Sequence, residues 1–272
     1  MAHDEIIAAD STQSESQPPS SRRRFLTQAG FGLGAAAALL AGAGAAEARG
    51  SGHDVAIVQA AATAEALATT MYYHIITSDL YMNGLNGNAN DQAYLVAGYE
   101  QELDHYNLLT TIAPAYTTTF YFPTGMFGGA ATYATTINTL VTLEDAFIAA
   151  YLIGVRDLSS PALAVLAAQI MGVESEHRAF GRVVAADLGL GSTTGLSGVA
   201  EGVDGKNGFA ANNLAYERKF QPPLNQITDV VSALGPFIAP GTAGFSTTPF
   251  KFSDALSLPS SIKPITLAST TP

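Results

Sequence analysis

Along four stretches of the chain, apolar residues recur at every third or fourth position, which is the spacing of residues on one face of a helix. The first stretch shows this spacing through Ala68, Tyr72, Ile75 and Ile76. Each stretch is long enough for about six to eight helical turns. The pattern therefore predicts four amphipathic helices, over residues 54–79, 91–112, 132–155 and 161–188.

The connections between these helices differ in length. The first and third are short, so each should join two helices into an antiparallel hairpin, and the first contains a turn at 83–90 that is rich in Asn and Gly. The second connection has about twenty residues, enough to cross from one end of a bundle to the other, and its segment 116–122 has the composition of a β-strand. Two hairpins joined by one long crossover predict an all-α four-helix bundle, assigned to residues 49–190.

The C-terminal part of the chain has a different character. After Gly189 the helical spacing disappears, and residues 191–272 are rich in Gly, Pro, Ser and Thr. We expect an irregular, loop-rich extension that packs on the bundle, with short helices at 213–220 and 224–234 and without a core of its own.

The N-terminal residues 1–48 are predicted to be an export signal. A basic segment at 21–26, Ser-Arg-Arg-Arg-Phe-Leu, precedes an apolar run rich in Gly and Ala and a small-residue cleavage pattern, Ala-Glu-Ala, at 46–48. The paired arginines resemble signals of the twin-arginine route, whose export machinery is then a partner. Cleavage near Ala48 would leave an exported protein, periplasmic or extracellular, with no stable membrane anchor. An uncleaved transmembrane helix is the alternative.

Composition excludes several classes of function. The formal net charge is −11, which argues against nucleic acid and anionic membrane surfaces as partners. The chain contains no Cys, which excludes disulfides, thiolate metal sites and iron–sulfur clusters. A hydrophobic content of 47% indicates a folded chain.

Acidic and imidazole side chains follow an alternating pattern on the four helices. The second and fourth helices each contain Glu-x-x-His, which places a carboxylate and an imidazole one turn apart on one face. The first and third each contain a single Glu with apolar neighbours at helical spacing. All lie near the middle of their helices and therefore at one level of a bundle. The candidate metal ligands are Glu65, Glu102, His105, Glu144, Glu174 and His177.

The charge of these six side chains predicts a dinuclear metal centre. Four carboxylates buried among Leu, Ile and Phe would cost several kcal/mol each without a compensating charge. Two divalent cations supply four positive charges, and mixed carboxylate and imidazole ligands suit iron or manganese, with zinc less selectively bound. We expect two metal ions, iron first and manganese as the alternative.

The helices from Glu65 to His177 resemble the ferritin-like di-iron superfamily. The export signal, the crossover and the long tail resemble its exported branch, which includes desiccation-related proteins. The absence of Cys argues against a rubrerythrin, and the tail and signal differ from cage-forming ferritins. By this resemblance Glu102 and Glu174 bridge the two ions. The implied remaining ligands are Glu65 and His105 for one ion and Glu144 and His177 for the other.

Two functions fit this resemblance, and metal sequestration, which differs only in release kinetics, is a third possibility. The first is an oxidoreductase that oxidises Fe²⁺ or reduces O₂ or peroxide, with a manganese catalase-like dismutation as a variant. The second is a stress- or desiccation-related structural protein in which metal is absent or only holds the helices together. The sequence assigns no catalytic residue, and assembly into a homo-oligomer is left open.

Other polar residues near the pattern are expected to have structural roles. We expect His74 and His53 to lie at the surface, and Arg178 or Arg182 to pair with a carboxylate. Four tyrosines close to the site in sequence are expected mainly to pack in the bundle: Tyr72, Tyr99, Tyr106 and Tyr151.

Overall fold

The computed structural model describes residues 51–190 and 234–264. The expected export signal and the expected helix at 213–220 lie outside the described residues. Of the expected helix at 224–234, only the last residue is described. Within them the all-α bundle is confirmed, and every helix end lies within three residues of its predicted position. The four long helices are α1 Ser51–Ile76, α2 Ala89–Thr110, α3 Tyr133–Asp157 and α4 Pro161–Asp187.

Capping residues define where the helices begin. The side chain of Asn88 accepts a hydrogen bond from the backbone of Asp91 at the start of α2. At the start of α4, Ser160 is the N-cap and Pro161 is the first helical residue. The carboxylate of Asp54 on α1 accepts hydrogen bonds from the backbone N–H groups of Ser159 and Ser160, at 2.8 and 3.0 Å. This contact fixes the start of α1 against the α3–α4 turn.

The connection between α1 and α2 differs from the predicted turn at 83–90. After α1 ends, residues Leu80–Gly84 form a π-helical turn. The hydroxyl of Tyr133 donates a 2.6 Å hydrogen bond to Asp79, which brings the tyrosine ring over Gly84. A Cβ atom at Gly84 would lie 2.5 Å from that ring, so the close approach requires glycine. The π-helical turn therefore covers the first two residues of the segment for which a turn was predicted.

The helices pack as two antiparallel hairpins, α1 with α2 and α3 with α4, around one large apolar cluster and a second, smaller one. Among its fully buried members are Leu67, Tyr72, Leu95 and Ile137. The segment Ala130–Asp157, which contains α3, is long and apolar enough to cross a membrane, but 78% of its most apolar window is buried inside the protein. Packing in the bundle core accounts for its apolar composition.

The crossover and the C-terminal part form a small sheet across the bundle. Strand β1, Thr119–Phe120, pairs antiparallel with β2, Phe250–Lys251, so Phe120 lies opposite Phe250. A following 3₁₀-helix, Phe252–Ala255, contacts α1, and the hydroxyl of Tyr99 on α2 donates to the carbonyl of Ala255 at 2.7 Å. The described part of the C-terminal segment therefore packs on the first hairpin.

Candidate metal centre

The structure brings all six candidate ligands together at the middle of the bundle. Each helix contributes residues from its inward face, as the alternating Glu and Glu-x-x-His pattern predicted. Three of the glutamates, Glu102, Glu144 and Glu174, are 0% exposed, and His105 is the most accessible of the six with a side chain that is 13% exposed. The centre is therefore almost completely shielded from solvent.

One group of ligands surrounds His105. Its Nδ1 atom lies 3.5 Å from a carboxylate oxygen of Glu65, 3.6 Å from Glu102 and 3.4 Å from Glu174. Two donor atoms that each lie about 2.1 Å from one ion are about 3.0–3.4 Å apart at coordination angles of 90–109°. The spacing around His105 is close to that of four donors around a single ion, and all four can hold a metal.

A second group surrounds His177. Its Nδ1 atom lies 2.7 Å from Glu102, 3.4 Å from Glu174 and 3.9 Å from Glu144. Glu102 directs Oε1 to His177 and Oε2 to His105, and Glu174 likewise directs one oxygen to each histidine. The two groups thus share Glu102 and Glu174, whereas Glu65 belongs only to the first and Glu144 only to the second.

The donor atoms of both groups lack hydrogen-bond partners among the described residues. This applies to both oxygens of Glu102 and of Glu174, and to Nδ1 of both histidines. Buried polar atoms are nearly always hydrogen-bonded, and an unsatisfied one costs about 1–3 kcal/mol. A set of such atoms that all point to the same place fits cations, which would satisfy every one of them. The full set also includes Glu65 Oε2 and Glu144 Oε2.

Electrostatics within the cluster show how strongly these groups interact. Burial, together with the charges of Glu174 and Glu65, raises the pKa of Glu102 well above its ordinary value, and burial does the same for Glu144. Burial also acts on Glu174, but the two histidines, whose Nδ1 atoms each lie 3.4 Å from one of its oxygens, outweigh burial and lower its pKa. The carboxylates likewise raise the pKa of both histidines against the effect of burial. Without a cation, the cluster must hold protons to limit repulsion.

Two tyrosines orient the carboxylates that belong to a single group. The hydroxyl of Tyr151 donates a short hydrogen bond to Oε1 of Glu65, and that of Tyr72 donates to Oε1 of Glu144 at 2.8 Å. In each case the other oxygen, Oε2, is left facing a histidine. The expectation that these tyrosines mainly pack is therefore incomplete, because both also fix the direction of a candidate ligand.

Sequence reasoning missed two residues that contact His177. Gln101 Oε1 lies 2.8 Å from Nε2 of His177, and because this oxygen can only accept, Nε2 carries the proton and Nδ1 is the ring nitrogen that can bind a metal. The hydroxyl of Tyr94 donates to the backbone carbonyl of His177 at 2.6 Å. Tyr94 and Gln101 are seven residues apart on α2 and so share one helix face, which is the signal that could have identified them.

The remaining histidines and arginines differ partly from expectation. His74 is half-buried among the rings of Tyr73, Phe127 and Phe250, whose centres lie 5.2, 5.3 and 4.8 Å from its own. It is thus neither a ligand nor a surface residue, because the crossover and the C-terminal segment cover it. His53 is also half-buried. Arg178 pairs with Asp145 at 3.1 Å, as expected for one of the two arginines.

The comparisons with known proteins agree with this architecture. The model of a family described as ferritin-like domain matches residues 53–186. These residues contain all six candidate ligands and all four helices, apart from the first two residues of α1 and the last residue of α4. The chain therefore contains a ferritin-like domain. It has no match among the curated proteins or among the solved structures.

Proposed function

We propose that this protein is an exported ferritin-like protein that holds two metal ions, iron or alternatively manganese, and that it oxidises Fe²⁺ or reduces O₂ or peroxide. The observation that carries the proposal is the pair of ligand groups that share Glu102 and Glu174. In the proposal these two glutamates bridge the ions. Glu65 and His105 would bind only the first ion, and Glu144 and His177 would bind only the second.

Charge and coordination number support two redox-active ions. Four carboxylates balance two divalent cations, and each ion would receive four protein donors. Iron and manganese take up to about six ligands, so each would keep open positions for a small molecule, whereas four donors would complete a structural zinc site. When bound, the ions would supply one-electron redox chemistry.

The surrounding residues prepare the centre for that role. Tyr151 and Tyr72 each hold one carboxylate oxygen, which leaves the second oxygen of Glu65 and of Glu144 free to bind an ion. Gln101 fixes the tautomer of His177 in which Nδ1 can be a ligand. Burial of the cluster excludes bulk water.

The proposal is tested by metal content and turnover. The purified protein, loaded with Fe²⁺ without oxygen, should contain two ions per chain and should oxidise Fe²⁺ rapidly when O₂ or peroxide is added. Glu176→Gln is a matched control, since Glu176 is exposed and lies two residues from Glu174 on α4. It should retain both ions and the turnover. Fewer than two ions per chain would contradict the proposed centre.

A structural role is the second candidate, and the low exposure of the ligands favours it. Even His105 is only 13% exposed, so small molecules reach the ions only through the protein. In this case the ions would hold the two hairpins together. Two ions per chain without turnover, combined with a large loss of stability when they are removed, would support this candidate over the enzyme.

Export through the twin-arginine route belongs to the same proposal and rests on the N-terminal sequence. Replacing Arg22, Arg23 and Arg24 with lysine should keep the precursor in the cytoplasm without changing its metal content. Continued export of that variant would contradict the assigned route.

A further inference from the structure

A cavity of about 140 Å³ lies beside the candidate metal centre, between the first half of α1, the second half of α3 and the start of α4. Most of its lining residues have large apolar side chains, and six are alanine or glycine. Ala61 and Ala64 come from α1, Ala150 and Gly154 from α3, and Ala167 from α4. Where these small residues meet, the neighbouring side chains do not fill the space between the helices.

The cavity offers an occupant almost no hydrogen bonds. The hydroxyl of Tyr151 is already donated to Glu65, and the carboxylate of Asp157 accepts two hydrogen bonds from Arg156, at 3.0 and 2.9 Å. Apart from His53, the other lining residues have apolar side chains or none. A water molecule needs two to four polar partners to occupy such a space, whereas an apolar molecule needs none.

The cavity and the candidate metal centre share a wall. Tyr151 lines the cavity and hydrogen-bonds to Glu65, and Ala64 precedes Glu65 on α1. An occupant of the cavity would therefore be separated from a candidate metal ligand by a single side chain. This position distinguishes the cavity from a packing defect at the surface of the bundle.

We propose that the cavity is a binding site for a small apolar molecule of about the size of benzene, next to the candidate metal centre. Its volume is close to that of engineered apolar cavities of about 150 Å³ in other proteins, which stay dry and bind benzene or xenon. The binding site stands on the cavity alone. Only its position next to a dinuclear centre rests on the proposed function.

Benzene binding to the metal-free full-length protein tests the proposal. Calorimetry should show one benzene per chain, and benzene should raise the melting temperature. Ala167→Leu, which fills the cavity, should abolish binding. Ala168→Leu is the matched control, because the neighbouring side chain is exposed and does not line the cavity, and it should bind as the natural protein does. Ala150→Leu fills the cavity from α3 and serves if Ala167→Leu does not fold.

Two results would overturn the proposal: no benzene binding to the natural protein, or undiminished binding to the cavity-filling variants. Xenon binding without benzene binding would also overturn it, because the cavity would then admit only gas-sized molecules. Metal content, measured on a separate sample loaded with Fe²⁺ without oxygen, separates this proposal from the proposed function. Two ions per chain without benzene binding would refute the cavity alone, and benzene binding without metal would refute the centre alone.

Discussion

Replacing Glu102 with glutamine should change the stability of the protein in opposite directions with and without metal. Glu102 is 0% exposed, and neither of its oxygens has a hydrogen-bond partner among the described residues. In the metal-free protein the raised pKa of Glu102 means that its carboxylate takes up a proton when the chain folds, whereas the neutral amide needs none and can donate to Glu65 and Glu174. Since an unsatisfied buried group costs about 1–3 kcal/mol, the variant should be more stable than the natural protein by an amount of this order.

With metal the order should reverse. Ligand binding at about 1,000 times the dissociation constant stabilises a protein by about 4 kcal/mol. Glu102→Gln loses the negative charge that both ligand groups share and the oxygen donor of one group, and should lose most of that gain. For a domain of this size, about 4 kcal/mol corresponds to roughly 8–16 °C in melting temperature.

The assay is urea unfolding of both proteins, with a chelator and with saturating Mn²⁺, which avoids oxidation during the measurement. Glu176→Gln removes the same charge from an exposed position and should follow the natural protein in both conditions. If Glu102→Gln is the less stable protein in chelator, or gains as much from Mn²⁺ as the natural protein, then Glu102 does not act as an unsatisfied metal ligand.

Three further predictions concern residues around the centre and the helix ends. Tyr151→Phe should weaken metal binding by about 10–100-fold in a metal titration, because Glu65 loses its orienting hydrogen bond. The control is Tyr99→Phe, which removes a hydroxyl that contacts Ala255 and not a candidate ligand, and this variant should bind metal normally. Burial lowers the pKa of His74 from its ordinary 6.5 to about 4, although the charge of Asp254 acts in the opposite direction. The unfolded chain therefore binds a proton at this residue more readily than the folded protein does. The free energy of unfolding should be unaffected above pH 6.5 and should decrease as the pH falls towards 4. His74→Phe should remove up to about 3 kcal/mol of that decrease, which urea unfolding at pH 7.5 and 4.5 would measure. If the variant loses as much stability in acid as the natural protein does, the assigned pKa is wrong. Asp54→Ala should lower the free energy of unfolding by about 1–3 kcal/mol, since it leaves Ser159 and Ser160 without their acceptor; no loss would show that this contact does not hold the α3–α4 turn.

The fold and the meeting of the six candidate ligands could be predicted because both follow from spacing within single helices. Glu102 and His105 share a face of α2 whatever surrounds it, and the same holds for Glu174 and His177 on α4. The short and long connections then leave few ways to pack four helices, all of which bring mid-helix residues to one level. Local pattern was sufficient for this part of the structure.

The features that the sequence did not predict depend on contacts between distant parts of the chain. The aromatic environment of His74 is completed by Phe250, far along the chain, and the partner strand of Thr119–Phe120 comes from the same segment. The direction of the Tyr151 hydroxyl depends on how α3 is rotated against α1. Helix periodicity shows that such a residue is buried, but it does not show which neighbour the residue contacts.

The most direct test of the central claim is anomalous X-ray scattering from crystals of the Fe²⁺- or Mn²⁺-loaded protein, recorded at the absorption edge of the metal. The account predicts two peaks at the middle of the bundle, about 3.5–4 Å apart, one beside His105 and one beside His177, with Glu102 and Glu174 between them. A single peak, or none within reach of these four residues, would contradict it.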